Sequence, residues 1–524
     1  MEDVSKDWVA VPRHYNAVTD FIDRNLDEGR AEKAAFIDPH KTLTYGGLDE
    51  RAARFGSALA GLGVQREQRI ALVMFDTVAM PVAFWGALKA GIVPVPVNTL
   101  LAADQYRYIL QDCRAVCLVV SAGLLDTLAP ILDDLPDLRH VIVADGDGWR
   151  DDPNFEDLLA QSDPGFETVE TVADETAFWL YSSGSTGMPK GVRHRHASLI
   201  QTADLFGKRV LGMREDDVVY SAAKIFFAYG LGNAMSFPMA VGATTVLLPG
   251  RPTPDAVLDL MRTHQPSLFF GVPTLYTALL ANPALGSGAG SDALRLCVSA
   301  GEALPQDVGE RWKAQVGCDI VDGIGSTEML HIFVSNRPDA ITYGASGSPV
   351  PGYAARIVDD DGRDLGIDEI GELLVRGPSA GDGYWNQRAK SSATFVGEWT
   401  HTGDKYRQGA DGLYYYCGRT DDMFKVSGNW VSPFDVESAL MTHAAVLEAA
   451  VVGHPDGDGL LKPKAFIVLN DGFAADEALF AALKDHVKAA SGPWKYPRWI
   501  EIRDTLPKTA TGKIQRFKLR EAAE

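Results

Sequence analysis

The sequence predicts an α/β fold: a large N-terminal portion of helix-covered, mostly parallel sheets, then a small α+β segment. Three observations carry that expectation. Short Val-, Ile- and Leu-rich runs alternate with longer helical spacings, the pattern of strands joined by helical crossovers. At 524 residues the chain exceeds what one core organises, so two to four structural units are expected. Hydrophobic content of 46% beside 23% charged residues supplies ample material for buried sheets.

In order, Ile70 to Met74 is a short apolar run, Val78 to Ala90 has helical spacing, and Gly91 to Val97 returns to an extended pattern. Together they read as a βαβ unit. Further strands are expected at Ala115 to Ser121, His140 to Ala144, Gly242 to Leu248 and Ser267 to Gly271, with a Gly/Ser/Ala-rich surface loop over Asn282 to Ser291. From about Gly344 to Gly418 short runs broken by glycines, such as Ala355 to Val358 and Gly371 to Val375, suggest a small β-rich subdomain. Strands at Leu447 to Val452 and Lys464 to Leu469 belong to the last hundred or so residues.

A net charge of −21 argues against a nucleic-acid or anionic-membrane surface. One basic patch stands out: from Lys495 onward there are eight Lys/Arg against four Asp/Glu, either a solvated tail or a face for an anionic ligand. The five cysteines are odd in number and lack paired metal spacing, so they read as reduced. The opening Met-Glu-Asp-Val-Ser-Lys-Asp has no apolar core, so no secretory signal and a cytoplasmic location are expected. Val78 to Leu101 is interrupted by Pro81, Lys89, Pro94 and Pro96, which excludes an unbroken membrane-spanning helix.

The chemistry concentrates in Tyr181 to Gly191, Tyr-Ser-Ser-Gly-Ser-Thr-Gly-Met-Pro-Lys-Gly. Gly184, Gly187 and Gly191 free the backbone to aim successive N–H groups at an anion. Ser182, Ser183, Ser185 and Thr186 add hydroxyls, and Lys190 adds a movable cation. A plain Gly/Ser turn has similar composition. The apolar Ala177 to Leu180 favours the alternative, a buried strand feeding a phosphate loop at a sheet edge. Lys190 follows Pro189 and precedes Gly191, so this is not a Walker sequence.

The loop resembles the phosphate loop of the AMP-forming adenylating enzymes, the superfamily of acyl-CoA synthetases, peptide-synthetase adenylation domains and beetle luciferase. Four further regions extend the likeness across the chain. Ser299 to Pro305 is similar to the family's adenine loop, and Gly325-Ser326-Thr327-Glu328 to its metal and phosphate motif. Thr400 to Asp404 and Gly418 to Asp422 resemble the ribose clamp and the hinge, and Pro507 to Lys513 the C-terminal lysine loop. The resemblance implies an N-terminal domain over 1–420 with a β-barrel-like subdomain at about 344–418, and a mobile C-terminal domain over 421–524 swinging about Asp421.

It also implies ATP and Mg2+ as cofactors and coenzyme A as co-substrate. A carboxylate must approach a polyanion, and two like charges about 4 Å apart repel by roughly 4 kcal/mol at an effective dielectric near 20, so positive partners are required. Lys513, Thr327, Glu328 and Lys190 are the implied catalytic residues, with Glu328 also the metal ligand. The nucleotide would lie on Ser182, Ser183, Gly184, Ser185, Thr186, Gly301, Glu302, Ala303, Asp322, Ile324, Gly325 and Ser326, with its ribose on Asp404 and Arg419. On residue type alone, Glu328 is equally a helix N-terminal acid, Asp404 a turn residue, Arg419 a surface charge and Lys513 a tail charge.

Phe226 to Ala234 and Gly323 to Phe333 resemble the benzoate-CoA and hydroxybenzoate-CoA ligase branch. That likeness implies an acyl pocket of Ala228, Tyr229, His331 and Ile332, an aromatic acid as substrate, and a CoA channel of Phe227, Lys425 and Gly428. Ile324 stands where an aromatic residue usually stacks on adenine, and Phe227 where many relatives carry histidine. The expected activity is aryl-CoA ligation; the alternatives are an enzyme loading a separate carrier protein and a nonenzymatic nucleotide-binding regulator. A homodimer, and a lysine acetyltransferase acting on Lys513, are partners the sequence leaves open.

Overall fold

The computed structural model describes residues 3–182, 188–426, 429–457, 460–492, 494–508 and 514–521. Two mainly parallel sheets organise the larger part. One runs in the order Val93–Pro96, Arg69–Val73, Cys117–Ser121, His140–Ala144, all parallel. Pro94 and Pro96 cannot donate to a ladder on both sides, and their strand is accordingly an edge strand. The helix Ala79–Lys89 between the first two strands in sequence is buried over its whole length, as a helix apolar all round must be.

The second sheet has nine strands. Its centre is parallel, in the order Ile320–Gly325, Leu296–Ser299, Leu268–Gly271, Val218–Ser221, Thr244–Val246, Ala34–Ile37, with antiparallel strands added at both ends. Such a sheet buries both faces, which is why its strands read as unbroken apolar runs. A curled antiparallel sheet follows, built from Ala354–Val358, Gly371–Arg376, Phe395–Val396, Trp399–Gln408 and Tyr414–Arg419. Beyond it a separate core draws on Phe424, Val426, Val431, Leu440, Val451, Ile467 and Leu483, beneath the strands Val446–Pro455, Leu461–Leu469 and Trp499–Ile502.

The expected strands are all present, most with ends that differ by a few residues: Gly242 to Leu248 contracts to Thr244–Val246 and Leu447 to Val452 extends to Val446–Pro455. The expected loop at Asn282 to Ser291 contains one 3-10 turn, Ser287–Gly290. The expected buried strand before the hydroxyl-rich loop is present as Thr176–Ser182, with Ala177 to Leu180 buried; it pairs antiparallel with Lys190–Arg195 in a two-stranded hairpin. The Val-Arg-His-Arg run after Gly191 has the alternation a strand needs. Among the described residues no helix is long and apolar enough to cross a membrane.

Candidate active site

Hairpin pairing sets Ser182 directly opposite Lys190 and Tyr181 opposite Gly191. Ser183, Gly184, Ser185 and Thr186 lie outside the described residues. The Ser182 hydroxyl is buried and meets no hydrogen-bond partner among the described residues, as an oxygen kept for a ligand would be. The segment at Gly381 to Trp385 packs along the second hairpin strand. Arg193 N–H donates to Gly383 O at 3.2 Å, and Trp385 N–H to Gly191 O at 2.8 Å.

This packing delivers Tyr384 between Lys190 and Glu328. Lys190 Nζ donates to Tyr384 Oη at 3.2 Å and lies 4.2 Å from the ring centroid, while Tyr384 Oη donates to Glu328 Oε1 at 2.7 Å. Burial lowers the Lys190 pKa, Glu328 opposes that, and Lys390 and Arg419 add to it. Burial and the Glu328 charge push the Tyr384 phenol upward, so its proton stays in place at neutral pH. Glu328 is fixed through its backbone as well, accepting Gly381 N–H at 2.8 Å.

Glu328 belongs to a 3-10 turn, Thr327–Met329, that Ser326 caps by accepting Met329 N–H on its Oγ at 3.2 Å. A Cβ at Gly325 would stand 2.6 Å from His331 O, so the strand can reach the turn only with glycine there. Leu330 has φ 66°, ψ −36°, a strained backbone for a leucine, between Glu328 and His331. Strain of this kind persists only where neighbours enforce it.

Asp404 and Arg419 face each other across adjacent strands. Arg419 Nη1 donates to Asp404 Oδ1 at 2.9 Å and to Thr402 O at 3.1 Å. Asp404 raises the Arg419 pKa against the effect of burial, and Glu328 contributes in the same sense, which places this pair within electrostatic reach of the Lys190 group. Gly403, at φ 70°, lies within the strand Trp399–Gln408 where its register shifts, just before Asp404.

The parallel strands bring a third set together. Ser299 pairs with Asp322, so the loop through Gly301, Glu302 and Ala303 leaves the sheet beside Asp322, Ile324 and Gly325, at the carboxyl ends where open α/β sheets bind ligands. Asp322 is fully enclosed; its Oδ2 accepts Leu304 N–H at 3.5 Å and its Oδ1 has no partner among the described residues. Burial pushes its pKa from 3.8 to about 8. Asp322 is thus a neutral carboxylic acid near pH 7.

The acyl candidates are adjacent to it. Tyr229 Oη lies 3.2 Å from Gly271 O and 3.1 Å from Val298 O, and Asp322 helps to raise its phenol pKa. His331 is 3% exposed, ringed by Tyr229 at 5.6 Å, Phe206 at 5.5 Å and Phe237 at 4.4 Å between centroids. Its Nε2 meets Tyr229 O at 3.3 Å and Asn233 Oδ1 at 3.1 Å, and burial lowers its pKa to about 3. A carbonyl only accepts, so Nε2 carries the proton and Nδ1 is left as a buried acceptor. Ala228 and Ile332 are buried beside them in sequence, and Phe227 lies 4.4 Å from Phe226 between ring centroids.

Asp421 sits in the turn after Arg419, and Lys425 is exposed on the strand Phe424–Val426. Gly428 and Lys513 lie outside the described residues. Two residues escaped the sequence reading. Tyr384 is flagged only by Gly-Tyr-Trp after two glycines, too short a signal to separate it from a turn, and Asn233 only by being polar in an apolar run.

The chain matches the family model of the AMP-binding enzymes over residues 23–385 and that of the AMP-binding enzyme C-terminal domain over residues 435–513. It belongs to that family, the AMP-forming acyl-CoA synthetase superfamily, and within it to the benzoate-CoA ligase branch. A 4-hydroxybenzoate-CoA/benzoate-CoA ligase of Rhodopseudomonas palustris is 58% identical over 97% of this chain and 94% of its own. A benzoate-CoA ligase of Thauera aromatica is 54% identical over 98% and 97%. Among solved structures, a benzoate CoA ligase from Burkholderia xenovorans superposes with TM-score 0.90 at 50% identity, covering 97% of this chain and all of that one (100%). An anthranilate CoA ligase in complex with anthranoyl-AMP gives TM-score 0.94 at 43% identity, covering 100% and 99%.

Asp322 generates a pH prediction. Its folded pKa is raised, so its contribution to stability is complete below about pH 4 and is lost as pH climbs through about 8. Asp322→Asn removes the titration: its Tm relative to the parent should rise steadily from about pH 5 to about pH 9. Parallel Tm profiles for the two proteins would contradict the buried neutral acid.

Proposed function

We propose that the chain is an AMP-forming aryl-CoA ligase, joining benzoate or a hydroxybenzoate to coenzyme A at the expense of ATP. The observation that carries this is the half-buried group Lys190, Tyr384 and Glu328, within electrostatic reach of Asp404–Arg419, together with the aromatic side chains gathered around His331. The relatives at 58% and 54% identity are named as CoA ligases and match over nearly their whole lengths, so loading of a carrier protein is not favoured.

In the first step a carboxylate oxygen attacks the α-phosphorus and pyrophosphate leaves, giving acyl-AMP. In the second the CoA thiol attacks the acyl carbon and AMP leaves. Asp404 and Arg419 hold the ribose, the loop beside Asp322 holds the adenine, and Lys190 donates to phosphate oxygens. Mg2+ would be held by Glu328 beside Thr327, and when bound it neutralises phosphate charge. One carboxylate suits an ion whose shell is completed by water and substrate phosphates.

Tyr384 is assigned the task of holding Glu328 in place while keeping Lys190 from pairing with it directly. Lys513 would supply the mobile cation of the first step, reaching the carboxylate and the bridging phosphate oxygen. The chain divides at Asp421, with 1–420 carrying the nucleotide and acyl sites and 421–524 carrying Lys513 and the CoA-facing Lys425 and Gly428, Phe227 closing the thiol's path. A cytoplasmic setting fits the five cysteines, all free thiols. A homodimer, and acetylation of Lys513 cancelling the charge that adenylation needs, complete the proposal.

Two substitutions test these roles. Tyr384→Phe removes one hydroxyl and should slow benzoate-dependent ATP–pyrophosphate exchange by about tenfold to a hundredfold, the worth of a charge-assisted hydrogen bond; unchanged exchange would remove Tyr384 from the site. Lys513→Ala should cut adenylate formation by roughly 10²-fold or more and leave thioester formation from preformed benzoyl-AMP intact. Equal loss in both half-reactions would refute the division of labour.

A further inference from the structure

The connection between the two bodies is pinned on both sides by arginine–carboxylate pairs, and the two pins belong to different bodies. On the N-terminal side Arg419 is held by Asp404 and Thr402 O, and Thr420 N–H donates to Gly403 O at 2.9 Å. On the C-terminal side Asp422 receives Arg520 Nη1 at 3.0 Å and lies 3.6 Å from Arg516 Nη1. Arg516 is itself anchored: its Nη2 donates to Glu437 Oε2 at 2.7 Å and its Nε to Oε1 at 3.2 Å, a two-point fork. Glu437, 4% exposed, also accepts Val451 N–H at 2.7 Å from the strand Val446–Pro455. The helix Arg516–Glu521 that carries both arginines is seated through Leu519 on Ala450, Val452 and Phe466.

Between the pins lie Thr420 and Asp421. Arg520 Nη1 also reaches Asp421 O at 3.4 Å, and Asp422 and Met423 N–H both donate to Arg419 O at 3.0 Å. A torsional change at Asp421 breaks the last two bonds, because they cross the joint. The Arg516 and Arg520 pairs with Asp422 lie wholly on the C-terminal side and survive it. In the orientation described, backbone and side chains both fix Asp422; after a swing the two arginines alone remain.

We propose that Arg516 and Arg520 are positioning residues that rivet Asp422 to the C-terminal body, so that the movement between the two half-reactions is confined to Thr420–Asp421 and ends in a defined second orientation. The proposal rests on the ligase reading above, in which one active site first forms acyl-AMP and then admits CoA. Without the rivet the joint lengthens by two or more residues. The orientation that lacks the cross-joint backbone bonds is then poorly defined, and only the step that uses it suffers.

The test measures both half-reactions in single-turnover experiments on the full chain, using ATP with benzoate for the first and preformed benzoyl-AMP with CoA for the second. Arg520 is partly exposed, so Arg520→Gln should fold with a Tm close to the parent. It should change the ratio of the two rates by about tenfold, while Arg520→Lys, which keeps the charge, should recover most of it. Amide exchange at Asp422 and Met423 should quicken in Arg520→Gln and not in Arg520→Lys. Equal effects on both half-reactions, an unchanged ratio, or unaltered amide exchange would each overturn the rivet. Failure of the parent itself to form benzoyl-AMP would instead defeat the ligase reading.

Discussion

A lysine and a glutamate that stop short of an ion pair, with a tyrosine hydroxyl between them, set the terms for the rest of the molecule. A direct Lys190–Glu328 pair would satisfy both charges and leave nothing for a ligand. Tyr384 takes one hydrogen bond from the lysine and gives one to the glutamate, so each charged group keeps capacity to spare in a half-buried setting. The arrangement requires three distant stretches of chain to converge, and much of the fold is the apparatus that makes them do so. The hairpin aligns Lys190 with Ser182, the segment around Gly381 laces Tyr384 to that hairpin, and the capped turn after Gly325 presents Glu328.

Around this group the electrostatics divide by depth. Arg419 keeps its charge because Asp404 pairs with it. Deeper in, Asp322 and His331 have no such partner and are held neutral, the acid protonated and the imidazole deprotonated. In the proposed reading the nucleotide's side of the site is therefore charged and the acyl side is not. An aromatic carboxylate entering the uncharged side would place its one charge toward the cations, which would orient it for attack.

Much of this was legible in the residues. Alternating apolar runs located the parallel strands because strands covered on both faces are mostly apolar, Asp322 and Ser299 being buried exceptions. Glycines and hydroxyls mark the loop that is proposed to hold phosphate, and the Gly-Ser-Thr-Glu motif marks the turn that bears Glu328. Less legible was anything that depends on non-local pairing. The strand Lys190–Arg195 hides behind its charges, whose side chains are only half-buried, and so its antiparallel pairing with Thr176–Ser182 is not readable from the sequence. Tyr384 gives only a short Gly-Tyr-Trp signal, because its role comes from contacts with Lys190 and Glu328, which are distant in sequence. His331 was named from resemblance, but its tautomer follows only from the carbonyl of Tyr229. The arginines at 516 and 520 read as part of a basic tail, and only their seats on Glu437 and Asp422 distinguish them from solvated charges.

The most direct measurement follows the nucleotide when CoA is withheld. Enzyme mixed with ATP labelled at the α-phosphate and excess benzoate should accumulate benzoyl-AMP in an amount close to that of active sites, and addition of CoA should convert it to benzoyl-CoA and labelled AMP. Labelled ADP in place of AMP, or no labelled product that depends on benzoate, would contradict the account.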